Sequence, residues 1–366
     1  MRLARFIFPA ALIILSGLNS DHLRAQAIGG QTIYSFLNLS PSARISGLAG
    51  SLIAVRDDDI ALGYNNPAAL NPTMHTALSF NHSFHMAGVQ YGYAAYGHHF
   101  QNLATTFQGG VQYVTYGEFD RTDPNFQNLG TFKASELALN LGAGRALYDR
   151  LAGGVNMKLI NSRLESFSSF GLSFDVAATY FDTASNFVAT LLFRNMGFQL
   201  SSYREGDREK LPFEIQIGIS KKLKYLPFRI SVTYLHLQQW DILYDDPNAD
   251  TGNDPLFGED PQERSPTSRF IDNFFRHLVF NGELLLGKKE TVRIRVGYSH
   301  RVRKELIVDG FGSLSGFSFG FGIRIKKFRI DYGHSHFHNA GGLNHLSVST
   351  RINRKPTPPE VPLIVE

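Results

Sequence analysis

Phe317-Ser318-Phe319-Gly320-Phe321-Gly322-Ile323-Arg324-Ile325 sets a large apolar side chain at every second position and a small or polar one between. Successive side chains of a β-strand point to opposite faces, so one face of this segment suits lipid and the other a wet interior. Phe228, Ile230, Val232 and Tyr234 repeat the pattern against Arg229, Ser231 and Thr233. Val292, Ile294, Val296 and Tyr298 repeat it against Arg293, Arg295 and Gly297. Arginine at two successive inward positions does not suit the dry core of a soluble sandwich, where each unpaired guanidinium is costly. In a barrel lumen Arg293, Arg295 and Arg324 stay solvated or meet Glu283, Asp175 or Asp331 across it.

Extending the same reading predicts fourteen strands, near 75–85, 87–100, 103–119, 130–148, 150–164, 168–182, 185–196, 211–224, 226–240, 272–287, 290–302, 314–325, 327–337 and 343–353. Tight links such as Gln101-Asn102, Asp149-Arg150 and Lys326-Lys327 alternate with long polar ones at 119–129, 197–210, 241–271 and 303–313. An even strand number with short turns at one end and longer loops at the other is the pattern of an outer-membrane barrel. The fold class read from the sequence is therefore all-β, a transmembrane antiparallel β-barrel of about fourteen strands, spanning 74–353.

Composition agrees. Phe and Tyr, at 30 and 15, supply lipid-facing bulk and interfacial girdles, and 34 Gly ease strand packing and bends. With no Cys, disulfides and thiolate metal sites are excluded. A net charge of +4, spread over lumen positions and turns, does not make a nucleic-acid surface. Residues 1–27 carry Arg2 and Arg5, the apolar run Phe6 to Leu15 and a small-residue end at Ala25-Gln26-Ala27, the order of a cleaved secretory signal. Residues 28–73 read as a plug in the lumen or at its mouth: Ser40 can cap and Pro41 open a short helix whose next turns are rich in small residues. The Pro-rich tail 354–366 is extended, either as a disordered remnant or as a docking peptide.

Asn65-Asn66-Pro67-Ala68 reads as a structural turn from plug into barrel, since proline biases Asn66 to extended geometry and the Asn side chain can bond nearby backbone. Three other signals are weaker. Gly316-Phe317-Ser318-Phe319-Gly320 matches a hydrolase elbow but lies in a period-two strand without the helix that chemistry needs. His334, His336 and His338 share one face near the rim, with His345 across the next hairpin, and read as solvated histidines. Asp57-Asp58-Asp59 lacks the spaced oxygens of a calcium loop and reads as a solvated turn or a plug-to-lumen ion pair. No catalytic residue, metal or cofactor is expected. Asp245, Asp246, Asp254 and Glu259 make loop 241–271 an acidic candidate for external docking.

Asp57 to Leu70, with its Asn-Pro-Ala element, resembles the segment joining plug to first strand in the long-chain fatty-acid transporter-like outer-membrane barrels. Ile28 to Leu39, Ser42-Ala43-Arg44, Asn71-Pro72-Thr73-Met74-His75, Tyr91 to Tyr96 and Leu164 to Leu172 are similar to the PorV and PorQ branch of that family in Bacteroidetes, with PorQ-like members the better match. The resemblance implies a non-enzymatic component of the type IX secretion system. Its place would be a scaffold in the attachment assembly that anchors cargo with C-terminal sorting domains at the cell surface. Implied partners are outer-membrane lipid, a PorZ-like surface protein, PorU and PorV, and no nucleic acid. The alternative that the wider family implies is an outer-membrane transporter for hydrophobic small molecules. The final strand, Leu343 to Asn353, departs from common outer-membrane proteins because it does not end the chain in Phe.

Overall fold

The computed structural model describes residues 32–85, 88–204, 206–243, 265–287, 290–306, 314–338 and 341–352. The expected signal (1–27), the tail (354–366) and the acidic loop residues Asp245, Asp246, Asp254 and Glu259 lie outside the described residues. One unit comprises Gly29–Trp240 with Gln262–Glu366; in the other, Met1–Ile28 with Asp241–Pro261, the Asp241 carboxylate accepts the Leu243 N–H at 3.1 Å.

The larger unit is a closed barrel of fourteen antiparallel strands, each paired with its chain neighbours and the first with the last. The strands are β1 (Ala77–Phe84), β2 (Gln90–Phe100), β3 (Thr105–Thr122), β4 (Asn128–Tyr148), β5 (Leu151–Leu164), β6 (Phe167–Asp182) and β7 (Phe187–Ser201). The remainder are β8 (Glu214–Lys222), β9 (Phe228–Tyr234), β10 (Leu278–Leu286), β11 (Val292–Ser299), β12 (Phe317–Ile325), β13 (Phe328–His338) and β14 (Gly341–Arg351). Closure runs from Ala77 opposite Arg351 to Phe84 opposite Asn344. Closure leaves the sheet without an edge strand, as lipid demands of a spanning sheet.

Burial follows the alternation. Phe319, Phe321, Ile325, Ile330, Tyr332, Leu346 and Val348 are exposed on the outer face, while Ser318, Asp331, Ser335 and Ser347 between them are buried. Apolar groups outside and polar groups inside is the order of a membrane barrel. No described helix is long and apolar enough to cross a membrane.

The wall is uneven. β3 and β4 have 18 and 21 residues, whereas β8 to β12 have 7 to 9. The expected loop at 119–129 is mostly strand, because the Asp123 carboxylate accepts the Asn125 and Gln127 N–H groups at 2.8 Å and closes a short turn on which the ladder runs out. Strict alternation of short and long links also fails at β5–β6, where Leu164 pairs with Phe167 across two residues. Two expected strand ends, 272–276 and 300–302, are helical instead, within helices Pro266–Arg276 and His300–Leu306 that also take in residues expected as loop. In the first, Ser265 Oγ accepts the Ser268 N–H at 3.3 Å and Pro266 takes the first turn, so proline opens a helix where it could not join a ladder.

Candidate functional site

Residues 32–76 fill the lumen. Helix α1 (Ala43–Ser46) is capped by Ser42 and ends at Gly47, whose backbone lies against Gly320 of β12 so closely that an added Cβ would stand 2.8 Å from the Gly320 Cα. Small residues are required on both sides of that contact. The plug's apolar side chains form clusters of their own, Ile45, Leu48, Leu52, Val55, Leu62 and Ala69 in one, and Ile60, Tyr64, Leu70 and Met74 with Tyr93 and Ala95 of the wall in another. Plug and barrel are thus one packed core rather than a tether in a pore.

A charge network lies at the centre of this contact. Arg44 Nε and Nη2 donate to the Glu283 carboxylate at 3.0 Å each, and the same guanidinium meets Asp57 at 2.8 Å and Asp59 at 3.2 Å. Glu283 also takes Arg229 Nη1 at 2.8 Å and Arg295 Nε at 3.1 Å, and Arg295 Nη1 lies 2.7 Å from Asp331. Arg293 pairs with Glu290 at 3.0 Å. Glu283, Arg293, Arg295, Arg324 and Asp331 therefore all point inward, and Arg44 is what joins the wall charges to the plug. The sequence reading did not single out Arg44 or Arg229 as network members. A lone arginine among small and apolar residues in a lumen-bound segment was the available signal.

Asp175 is also inward and buried, but its cation is Lys158 at 2.8 Å rather than an arginine, and its other oxygen accepts the Asn195 N–H at 2.8 Å. Lys158 Nζ stands 4.5 Å from the Tyr64 ring centre, which again ties wall to plug. Asn195 has φ +56° and sits where the β6–β7 register shifts, so the Asp175 carboxylate replaces a ladder carbonyl at that bulge.

The expected role of Asn65 to Ala68 as the turn into the barrel is corrected by the structure. Asn66 Oδ1 accepts the Ala68 N–H at 2.9 Å, but its Nδ2 reaches the Ile53 carbonyl at 2.7 Å and Thr179 Oγ1 of β6 at 3.1 Å. The turn is buried deep in the lumen against the wall opposite α1, and Asn65, in helix α2 (Leu62–Asn65), is buried beside it. A second Asn-Pro turn follows, with Asn71 Oδ1 accepting the Thr73 N–H at 2.9 Å, before β1 starts at Ala77. Asn66-Pro67 is an anchor between plug segments and β6, not the exit.

At the end of the barrel that carries the β12–β13 turn, Asp58 takes Arg329 at 2.5 Å, Arg324 at 2.9 Å and Arg351 at 3.0 Å. Burial opposes ionisation of Asp58, but Arg329, with Arg324 beyond it, outweighs that and holds the carboxyl below the usual range. These groups line a cavity of about 340 Å³ together with Lys326 and Lys327. On the other side of the plug a cavity of about 300 Å³ mixes Asn65, Arg194, Glu214 and His236 with Tyr91 and Val279. Arg194 Nη2 donates to the Leu37 carbonyl at 2.6 Å and Arg301 to His236 at 2.5 Å, so charged groups hold the floor and rim of that space.

The weaker signals resolve simply. Ser318 lies within β12 opposite Ser335. His334 and His336 face outward, whereas His345 faces inward and bonds Ser46 Oγ through Nδ1 at 2.9 Å, so the expected rim group divides between two faces of the sheet. The His338 side chain lies outside the described residues. Among the described residues no cluster of His, Asp and Glu is arranged to hold a metal.

No protein-family model matches the chain, and no curated protein does. Among solved structures it is similar to the Pseudomonas putida toluene transporter TodX, with 9% identity over 85% of this chain and 96% of that one and a TM-score of 0.47. A Pseudomonas aeruginosa FadL homologue gives 11% identity over 85% and 98%, with a TM-score of 0.47. The KdgM porin gives 6% identity over 76% and 99%, with a TM-score of 0.32.

Proposed function

We propose that this chain is a non-enzymatic outer-membrane scaffold of type IX secretion, a PorQ-like barrel in the assembly that fixes cargo with C-terminal sorting domains at the cell surface. The observation that supports the reading best is the plug, whose Arg44 joins Asp57 and Asp59 of the plug to Glu283 of the wall, and whose Gly47 packs directly against Gly320. A barrel closed in this way serves as a rigid platform. The long hairpin β3–β4, the link from β7 to β8 at 202–204 and 206–213, and helix Pro266–Arg276 stand on one end, which the scaffold reading places outside the cell as the face for a PorZ-like partner, with PorU and PorV alongside.

The test is surface and secretome mass spectrometry of a strain lacking the gene. Loss of surface-attached cargo, with untrimmed sorting-domain proteins in the periplasm or medium, is expected. Normal cargo with impaired uptake of a hydrophobic nutrient would replace the scaffold by the transporter reading. Exchanging Asp245, Asp246, Asp254 and Glu259 for their amides should release the surface partner while the barrel remains heat-modifiable on gels; retention of the partner would remove the acidic loop from the docking face.

A further inference from the structure

Helix α3 (Pro266–Arg276), in the connection between β9 and β10, is amphipathic in the reverse sense to a helix on a water-soluble protein. Its buried side is polar: Asn273 donates to the Trp240 carbonyl at 2.6 Å, and Asp272 holds Arg276 at 3.0 Å and His300 at 3.0 Å. Its outward side carries Phe270, Ile271, Phe274 and Phe275, each 38–57% exposed, at the i, i+1, i+4, i+5 spacing of one stripe. In water such an arrangement would expose the face that burial should claim.

Two further observations say what covers it. The first is continuity with the lipid-facing belt. Phe274 lies 6.3 Å from Tyr234, an outward residue of β9, and Phe275 lies 6.0 Å from His300. His300 lies 6.2 Å from Tyr298, which packs at 4.8 Å on Phe317, and these two are outward residues of β11 and β12. The stripe and the belt are one surface. The second is wall height. β9 has 7 residues, or about 24 Å along the strand, which once tilted falls short of the apolar band of about 25 Å that a barrel presents to lipid. The helix stands where the wall is lowest.

We propose that α3 and Trp240 form an interfacial membrane helix, with the apolar stripe among the upper acyl chains of the bilayer and the polar side seated on the barrel rim. The occupant of this surface is lipid, and the proposal is independent of the scaffold reading. A Phe- and Trp-bearing stripe of this kind partitions a few ångströms below the headgroups.

Trp240 is the single tryptophan of the chain and its ring packs at a tilt on Phe270 at 5.2 Å, so its emission reports this helix alone. The full chain is refolded into phosphatidylcholine vesicles whose acyl chains carry bromine either near the glycerol backbone or near the chain ends, and heat-modifiability confirms the folded barrel. Shallow bromines should dim Trp240 by about twofold or more, deep bromines much less, and acrylamide little, as expected for an interfacial ring. Emission quenched by acrylamide and untouched by either lipid would overturn the proposal, as would stronger quenching by the deep bromines. Exchange of Phe270 and Phe274 for Ser in a barrel that still shifts on gels should lower the shallow quenching. Unchanged quenching in that variant would show that the belt, not α3, holds Trp240 in lipid, and would also overturn it.

Discussion

Replacing Arg44 by Met should loosen the plug by about two orders of magnitude in its opening equilibrium. The guanidinium is buried and contacts Glu283, Asp57 and Asp59 at 2.8–3.2 Å. After its removal Glu283 keeps Arg229 and Arg295, and Asp57 keeps Arg229 at 3.6 Å. Asp59 loses its one ion pair among the described residues and retains the Ala61 N–H at 3.2 Å. One buried carboxylate is thus left without a cation, so the lower end of the cost of breaking a buried pair applies, about 3 kcal/mol. At about 1.4 kcal/mol per tenfold, that is a little over a hundredfold. Because the chain has no cysteine, a buried Ser46→Cys in both proteins reports plug opening through its rate of thiol modification, with opening kept fast relative to modification. Adding Asp59→Asn to the Arg44→Met protein should recover most of the loss, since the amide oxygen can still accept from Ala61. Arg44→Lys should fall between, having charge without the two-pronged fork. A rate increase below about threefold, or no recovery with Asp59→Asn, would refute the assignment of Arg44 as the centre of plug docking.

Lys158→Met should cost the barrel about 3–5 kcal/mol by stranding Asp175, read as a lower urea midpoint of the heat-modifiable band, and Lys158→Met with Asp175→Asn should recover much of it. Gly47→Ala should cost about 1–3 kcal/mol in the plug-opening assay because its Cβ meets backbone, whereas Gly109→Ala, which meets nothing within 4 Å, should leave that assay unchanged. Asp58 has a depressed pKa in the folded state, so its contribution to plug docking is full above its unfolded value of about 3.9 and is lost as pH falls through the folded value. Thiol modification of Ser46→Cys should therefore rise with acid only below about pH 4, and Asp58→Asn should raise the rate at neutral pH and flatten that limb.

What the sequence made legible was face, and what it hid was depth and partner. Alternation alone assigns Arg293, Arg295, Glu283 and Asp331 to the lumen, because parity along a strand is local and survives an error of two residues in a boundary. Parity also holds the correction to the histidine group: Gly333 pairs with His345 and His334 with Asn344, so His345 is bound to face opposite to its expected neighbours, but only the register reveals it. Partners across the lumen are a different matter. Arg44 and Glu283 are 239 residues apart, and no spacing rule connects them. The glycines that receive the plug were likewise read as general aids to strand packing, since a glycine that admits a foreign backbone looks the same in sequence as one that eases a bend.

Helix α3 was hidden for a reason that bears on the whole fold. Its start was written in Ser265-Pro266 and its stripe in the pairs Phe270-Ile271 and Phe274-Phe275 about Asp272-Asn273, yet no Gly or Pro separates it from β10, so its last turn reads with the strand. The paired spacing, the cap and the proline decide for a helix, because a strand would alternate single residues and proline cannot donate to a ladder. The same physics that makes a barrel legible, apolar outward and polar inward, holds for this helix once lipid rather than water is taken as its solvent. Its reversed amphipathicity then follows from the rule that orders the strands, and the low wall at β8 to β12 is where that rule has room to act on a helix.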